Sequence, residues 1–103
     1  MTPVRWSEQA CGDLEAIHAY IGRDSPFYAS RTVEQMLQAI DRLEHFPELG
    51  RIVPEFQRPD IRELIVGAYR IVYHRELETV GLVTIVHGAR LLRPTPEHAR
   101  GES

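Results

Sequence analysis

Residues 61–75 read Ile-Arg-Glu-Leu-Ile-Val-Gly-Ala-Tyr-Arg-Ile-Val-Tyr-His-Arg, two β-branched and aromatic runs around a Gly-Ala pair. Runs of that composition favour extended chain, and a two-residue break containing glycine favours a tight hairpin turn. A turn at Gly67-Ala68 fixes the register on both sides of it. Val66 then faces Tyr69, Leu64 faces Ile71 and Arg62 faces Tyr73, a mostly apolar set that predicts the core side of a sheet. The alternate set is Ile61, Glu63, Ile65, Arg70, Val72 and His74. It predicts a mixed face, open to solvent or a partner. Val80 to His87 reads as a third strand, apolar on both faces over Val80 to Val86, as a central strand would be. Val4 to Trp6 adds one more.

Helical periodicity replaces alternation before residue 50. Trp6, Ala10, Leu14, Ile17 and Ile21 recur at spacings of four, four, three and four, one face of an amphipathic helix. Ser7 caps its start and Gly22 weakens its end. Ser25 then serves as a second N-cap with Pro26 in the first helical position. Val33, Met36, Leu37, Ile40 and Leu43 continue the stripe until Phe46-Pro47 stops it. The short break between the two helices predicts an antiparallel hairpin. Arg31, Glu34, Gln35, Gln38, Asp41 and Arg42 form its solvated face, and Cys11, at the stripe's border, is expected to be a partly buried, inert thiol. Residues 51–59, with Pro54 and Pro59, read as an irregular loop. The expected fold is α+β, an N-terminal helical hairpin packed on a three- to four-stranded antiparallel sheet. It forms one domain over residues 1–93, and residues 94–103 read as a flexible tail.

Composition agrees with a single core. The chain has 103 residues, 43% hydrophobic and 26% charged, enough to bury one core but not two. No apolar run approaches the roughly 20 residues that span a bilayer, and the start lacks a secretory signal. A lone cysteine forms no internal disulfide, which predicts a reducing cytoplasm. Every one of the 12 basic side chains is arginine. Arginine grips carboxylates and phosphates through a planar fork, but it is no proton-transfer base near neutrality. The N-terminal half is acidic, with four arginines against eight acids in residues 1–50, whereas residues 51–103 carry eight against seven.

Few kinds of chemistry survive inspection. The histidines at 18, 45, 74, 87 and 98 lack metal-ligand spacing, and one cysteine cannot build a zinc cage. Neither a glycine-rich phosphate loop nor a nucleophile elbow is present. No cofactor and no metal is expected. One constellation remains: Arg62, Arg70, Tyr73, His87 and Arg90, on successive strands and their exit. Convergent arginines hold phosphate or a carboxylate-rich peptide, and a histidine moves protons at neutral pH. The plainer alternative pairs Arg62 and Arg70 with Glu63 or other acids across the sheet, and bonds His87 to backbone.

The order of motifs adds a resemblance. Trp6-Ser7-Glu8-Gln9-Ala10 with Asp13-Leu14 comes first, followed by Leu43-Glu44-His45-Phe46-Pro47-Glu48-Leu49-Gly50-Arg51. Ile61-Arg62-Glu63-Leu64, Gly67-Ala68-Tyr69-Arg70-Ile71-Val72-Tyr73 and His87-Gly88-Ala89-Arg90 complete the series. In this order the motifs resemble the RelE/ParE superfamily of bacterial type II toxin–antitoxin toxins over about residues 4–92. The resemblance implies the fold derived above and two possible activities. RelE-like members cleave messenger RNA in the ribosomal A site without metal, whereas ParE-like members inhibit DNA gyrase.

Arg70 and Arg90 match two arginines of the nuclease set. Ile61 and Glu63 stand where RelE-like members have two lysines, and Leu91-Leu92-Arg93-Pro94 stands where they have a C-terminal tyrosine. Those departures remove acid–base and charge-stabilising groups, so the chain reads as ParE-like and not as an enzyme. A formal charge of −3 points the same way, because phosphate contacts dominate nucleic-acid affinity. The resemblance implies a cognate antitoxin as partner in a hetero-oligomer, gyrase as target, DNA met only through the antitoxin, and no membrane. The expected contact residues are Arg62, Arg70, Tyr73, His74, His87 and Arg90. Ile61, Ile65 and Val72, on the face away from the helices, are expected to be covered by antitoxin. Two alternatives stay open. One is an RNA-cleaving toxin with a divergent site built from Arg70, His87 and Arg90; the other is an inactive member that binds antitoxin and represses its own operon.

Overall fold

A computed structural model describes residues 1–93. The chain runs β1 (Val4–Trp6), α1 (Glu8–Gly22), α2 (Pro26–Asp41), a 3-10 turn (Arg42–Glu44), β2 (Arg51–Ile52), β3 (Ile61–Val66), β4 (Tyr69–Arg75) and β5 (Val80–His87). The tail expected at 94–103 lies outside the described residues.

Both helix starts follow from side-chain chemistry. The Ser7 hydroxyl accepts from the Ala10 N–H at 2.9 Å, and the Ser25 hydroxyl accepts from the Tyr28 N–H at 3.1 Å. Each satisfies a donor that the first helical turn leaves open. Pro26 holds the first position of α2. The stripes dock unequally: α2 buries Ala29, Thr32, Met36 and Ile40, whereas α1 fully buries only Ala10. Cys11 is exposed, contrary to the expectation of partial burial, because no described residue covers its side of α1. The solvated face of α2 is as expected.

The sheet has five strands in the order β1-β5-β4-β3-β2, more than the three or four expected. The extra strand is β2, too short to show alternation, lying antiparallel to β3 with Arg51 opposite Glu63. The β3–β4 register is the one set by the Gly67-Ala68 turn, with Arg62 opposite Tyr73, Leu64 opposite Ile71 and Val66 opposite Tyr69. Gly67 has φ +58, a left-handed conformation that a side chain disfavours. β5 is interior, but β4 is the central strand. Val83 is an extra residue in β5, since Thr84 pairs with Val72 while Leu82 pairs with Tyr73. β1 runs parallel to β5 and pairs only with Val80 to Leu82. Where it ends, helix side chains finish the edge: the Ser7 hydroxyl donates to Val83 O at 2.8 Å, and Asp13 Oδ2 accepts from the Ile85 N–H at 3.0 Å.

Leu64, Ile71, Tyr73, Val80, Leu82 and Ile85 pack with Ala10, Met36, Ile40 and Leu43 in the main core between helices and sheet. A second cluster lies on the opposite face, where Val53, Ile61 and Val72 are buried with Phe56, Val83 and Leu92 against them. That face was expected to be open. The chain covers part of it itself, with the loop between β2 and β3 and with the segment after β5. Ile65 alone of the three apolar residues named for a partner stays well exposed, at 55%.

Candidate functional site

Strand alternation divides the sequence-predicted constellation. Tyr69, Ile71 and Tyr73 point to the helices, and register places Arg62 beside Tyr73 and His87 beside Tyr69 on that side. Arg70 and His74 alternate with these residues and belong to the other face. Arg70, His87 and Arg90 therefore do not converge on one reacting centre.

Each residue has a defined setting. The Arg62 guanidinium donates to the carbonyls of Pro59 and Gly50, both at 2.9 Å, and so staples the turns on either side of β2. Tyr73 is fully buried, its hydroxyl accepting from the Gly50 N–H and donating to Pro47 O, each at 2.9 Å. Burial pushes its phenol above the ordinary value. His74 Nε2 lies 2.9 Å from Asp60 Oδ2, and Arg58 grips the same carboxylate. Burial alone would raise the Asp60 pKa, but the hydrogen bonds from Arg58 and His74 outweigh it and hold the carboxyl below its usual range. His87 is exposed; its Nδ1 accepts from the Ala89 N–H at 3.1 Å, and its ring meets Tyr69 edge-on. This is the backbone-bonded strand-end histidine of the plainer reading.

Arg70 is the centre of a charge network. Its Nε donates to Glu63 Oε1 at 2.6 Å, while Nη1 and Nη2 fork onto the two oxygens of Glu55 at 2.8 Å. Nη1 also donates to the carbonyl of Arg90 at 3.0 Å. Glu63 Oε2 takes a further bond from Arg51 Nε at 2.6 Å, and Glu55 Oε2 accepts from the Leu92 N–H at 3.0 Å. A buried ion of either sign needs such saturation to offset its lost hydration. Sequence reading found Arg70 and its bond to Glu63 as an alternative. It missed Glu55, 15 residues upstream in a loop without periodicity. The network ties four pieces of chain together: β2, the loop after it, β3–β4, and the strap at residues 90–92.

The Arg70 fork holds the Glu55 carboxyl down to about 2 from an ordinary 4.5, with burial opposing and the Leu92 N–H assisting. A carboxyl depressed by folding contributes stability above about pH 4.5 and loses that contribution as the pH falls toward 2. Urea unfolding followed across that range should show wild-type stability declining. Glu55→Gln should start lower and decline less steeply. Equal slopes for the two proteins would remove Glu55 from the acid response.

Beside the network, a groove of about 1050 Å³ runs over β1 and β5 and under the strap. Arg5, Arg90 and Arg93 stand along it, with Glu76 the only acidic residue among the described residues of its lining. Among the described residues, no group of histidine, cysteine, aspartate and glutamate is arranged to hold a metal ion. None of their helices is long and apolar enough to cross a membrane.

Comparison with known proteins fits this frame. Residues 4–92 match the family described as ParE toxin of the type II toxin–antitoxin system parDE. Toxin RelE2 of Caulobacter vibrioides is 39% identical over 92 residues, 88% of this chain and 100% of that protein. A putative toxin, Y4kP, of Sinorhizobium fredii is 32% identical over 85 residues, 82% of this chain and 85% of that one. A chain from the chromosomal ParDE system of P. aeruginosa superposes with a TM-score of 0.69 at 20% identity, covering 84% of this chain and 96% of that chain. One from the RelBE2 toxin–antitoxin complex of Mycobacterium tuberculosis gives 0.56 at 21%, again covering 84% and 96%. These two likenesses concern the fold alone. With the family match spanning every strand and both helices, the chain belongs to the ParE toxin family of type II toxin–antitoxin systems.

Proposed function

We propose that this toxin acts by binding a protein target, DNA gyrase, and that a cognate antitoxin neutralises it in a hetero-oligomer. The observation that carries this reading is the setting of Arg70. An arginine that stabilises charge on a reacting phosphate must reach it with free donors. Arg70 is instead 5% exposed and committed to Glu55, Glu63 and the Arg90 carbonyl. His87, the remaining proton-transfer candidate, lies across the sheet from it. Glu63, at a position where a nuclease of the superfamily would carry lysine, is buried and holds two arginines.

A second reading keeps one supporting fact: a relative at 39% identity is called RelE2. If this chain were a ribosome-dependent nuclease, Arg90 and His87 would have to work without Arg70. One pair of assays separates the readings. Purified toxin in molar excess should block gyrase supercoiling or stabilise the gyrase–DNA cleavage complex, and added antitoxin should reverse the effect. Toeprinting on stalled ribosomes should show no new message ends. Full supercoiling with folded toxin, together with cleavage abolished by His87→Ala, would establish the nuclease instead. Neither activity, with antitoxin still bound, would leave operon repression as the role.

A further inference from the structure

The connection between β4 and β5 is a preformed tip. The Glu76 N–H donates to Thr79 O at 2.9 Å, and the Thr79 hydroxyl donates to Glu76 Oε1 at 3.2 Å, so the turn is set by its own bonds. Between them Leu77 is 94% exposed, more than any other large apolar side chain among the described residues. Glu78 beside it is also exposed and forms no ion pair with a described residue. A lone exposed leucine is ordinary. A leucine held forward on a fixed turn, with an unpaired carboxylate next to it, is an apolar-acidic knob that is ordered before it binds.

The groove over β1 and β5 has the opposite character. Its floor includes the aliphatic side chains Val83 and Val86, and Leu91, 77% exposed, overhangs it from the strap. Arg5, Arg90 and Arg93 line it, all of them exposed and none in an ion pair with another described residue. Unpaired guanidinium groups above an aliphatic floor match an apolar side chain that stands beside a carboxylate. The knob lies at the mouth of this groove, because Glu76 and Gly81, on either side of the turn, both belong to the lining. Leu77 and Glu78 do not belong to it and leave their own groove open.

We infer that two copies of this chain pair reciprocally, the β4–β5 tip of each seated in the groove of the other. A twofold axis beside the tips sets the two β5 strands antiparallel and makes the contact isologous. Leu77 of each copy then covers Val83 of the other, and Glu78 of each meets the other's arginines. Closed symmetry stops at the dimer and leaves neither groove free for a third copy. The contact is small, which places it among weak assemblies with a Kd on the order of 10–100 μM. It does not depend on which target the toxin acts on.

The test is sedimentation velocity of the full-length toxin over a concentration series at low and high salt. Wild type should pass from monomer to dimer as concentration rises, and added salt should move the transition to higher concentration. Leu77→Asp should weaken pairing by about tenfold or more through loss of the apolar contact. Its thermal unfolding should match wild type, because that side chain is exposed. Glu78→Arg and the triple variant Arg5→Glu/Arg90→Glu/Arg93→Glu should each stay monomeric alone, since like charges then meet in both seats. Mixed in equal amounts, they should pair again. The introduced positive charge of one faces the introduced negative charges of the other, and the remaining seat is wild type on both sides. A wild type that stays monomeric throughout would overturn the proposal and leave the groove to a chain of another kind. A dimer indifferent to Leu77→Asp and to the triple variant would overturn it in favour of another surface. Two folded monomeric variants that fail to pair when mixed would overturn the reciprocal seat.

Discussion

Arg70→Ala should cost the fold about 3–5 kcal/mol, the loss expected when one member of a buried ion pair is removed and its partner stays charged. The environment determines the magnitude. Glu63 is 1% exposed and would keep only Arg51, whose own side chain is 60% exposed. Glu55 would lose both arms of its fork, and the Arg90 carbonyl would lose a donor. A domain of this size is stable by about 5–15 kcal/mol in all, so the variant should approach the unfolding threshold at physiological temperature. Chemical denaturation of wild type and variant gives the difference directly. Arg70→Lys, which keeps the charge but not the fork, should fall between them. Glu55→Gln in the Arg70→Ala background should cost less than in wild type, because the pair has already been broken. A stability change below about 1 kcal/mol for Arg70→Ala would show that the network is not what holds the strap and loop. One practical consequence follows for functional work. Loss of toxicity in Arg70→Ala reports unfolding unless folding is measured beside it.

The hairpin was legible in the sequence because two independent signals agree there. Alternation of apolar residues assigns the faces, and a glycine-containing turn sets the phase; every pair from Ile61–His74 to Val66–Tyr69 obeys both. Helix boundaries were legible through Ser7, Ser25 and Pro26, whose side chains act within four residues of themselves. What escaped lies beyond such local rules. Val53 and Phe56, separated by Pro54, show no period, yet they cover the sheet. Glu55 finds Arg70 through the third dimension, with no spacing to announce it. The bulge at Val83 is hidden because its neighbours on both sides are apolar. The mixed face was therefore read as open to solvent or a partner when five of its six residues are buried, Ile65 being the exception. Strand parity places the candidate residues on two sides of one sheet.

Gly50→Ala should be the second large effect, near about 3 kcal/mol and at the upper end for overpacking. Most glycine-to-alanine changes away from special backbone conformations are neutral or helpful, because alanine reduces the freedom of the unfolded chain. Gly12, in the middle of α1 with nothing within 4 Å of an added Cβ, is such a site, and Gly12→Ala should stabilise by about 0.5–1 kcal/mol. At Gly50 the same methyl would sit 2.5 Å from the Glu63 carbonyl oxygen and 2.8 Å from the Tyr73 ring. Neither neighbour can yield. The Glu63 backbone is fixed in β3 between β2 and β4, and Tyr73 is anchored by its hydroxyl to Pro47 and to Gly50 itself. Relief would require β2 to move off the sheet, and Arg51 would carry its hold on Glu63 away with it. The Leu49-Gly50-Arg51 segment thus owes its sequence to packing: glycine for the close approach to β3, and arginine for the buried carboxylate beneath. Thermal unfolding of the two variants side by side decides the matter. Tm should rise for Gly12→Ala and fall by more than about 10 °C for Gly50→Ala, at roughly 4–8 °C per kcal/mol for a domain of this length. A Gly50→Ala protein as stable as wild type would mean that β2 adjusts freely, and that Tyr73 and Glu63 are not locked as described.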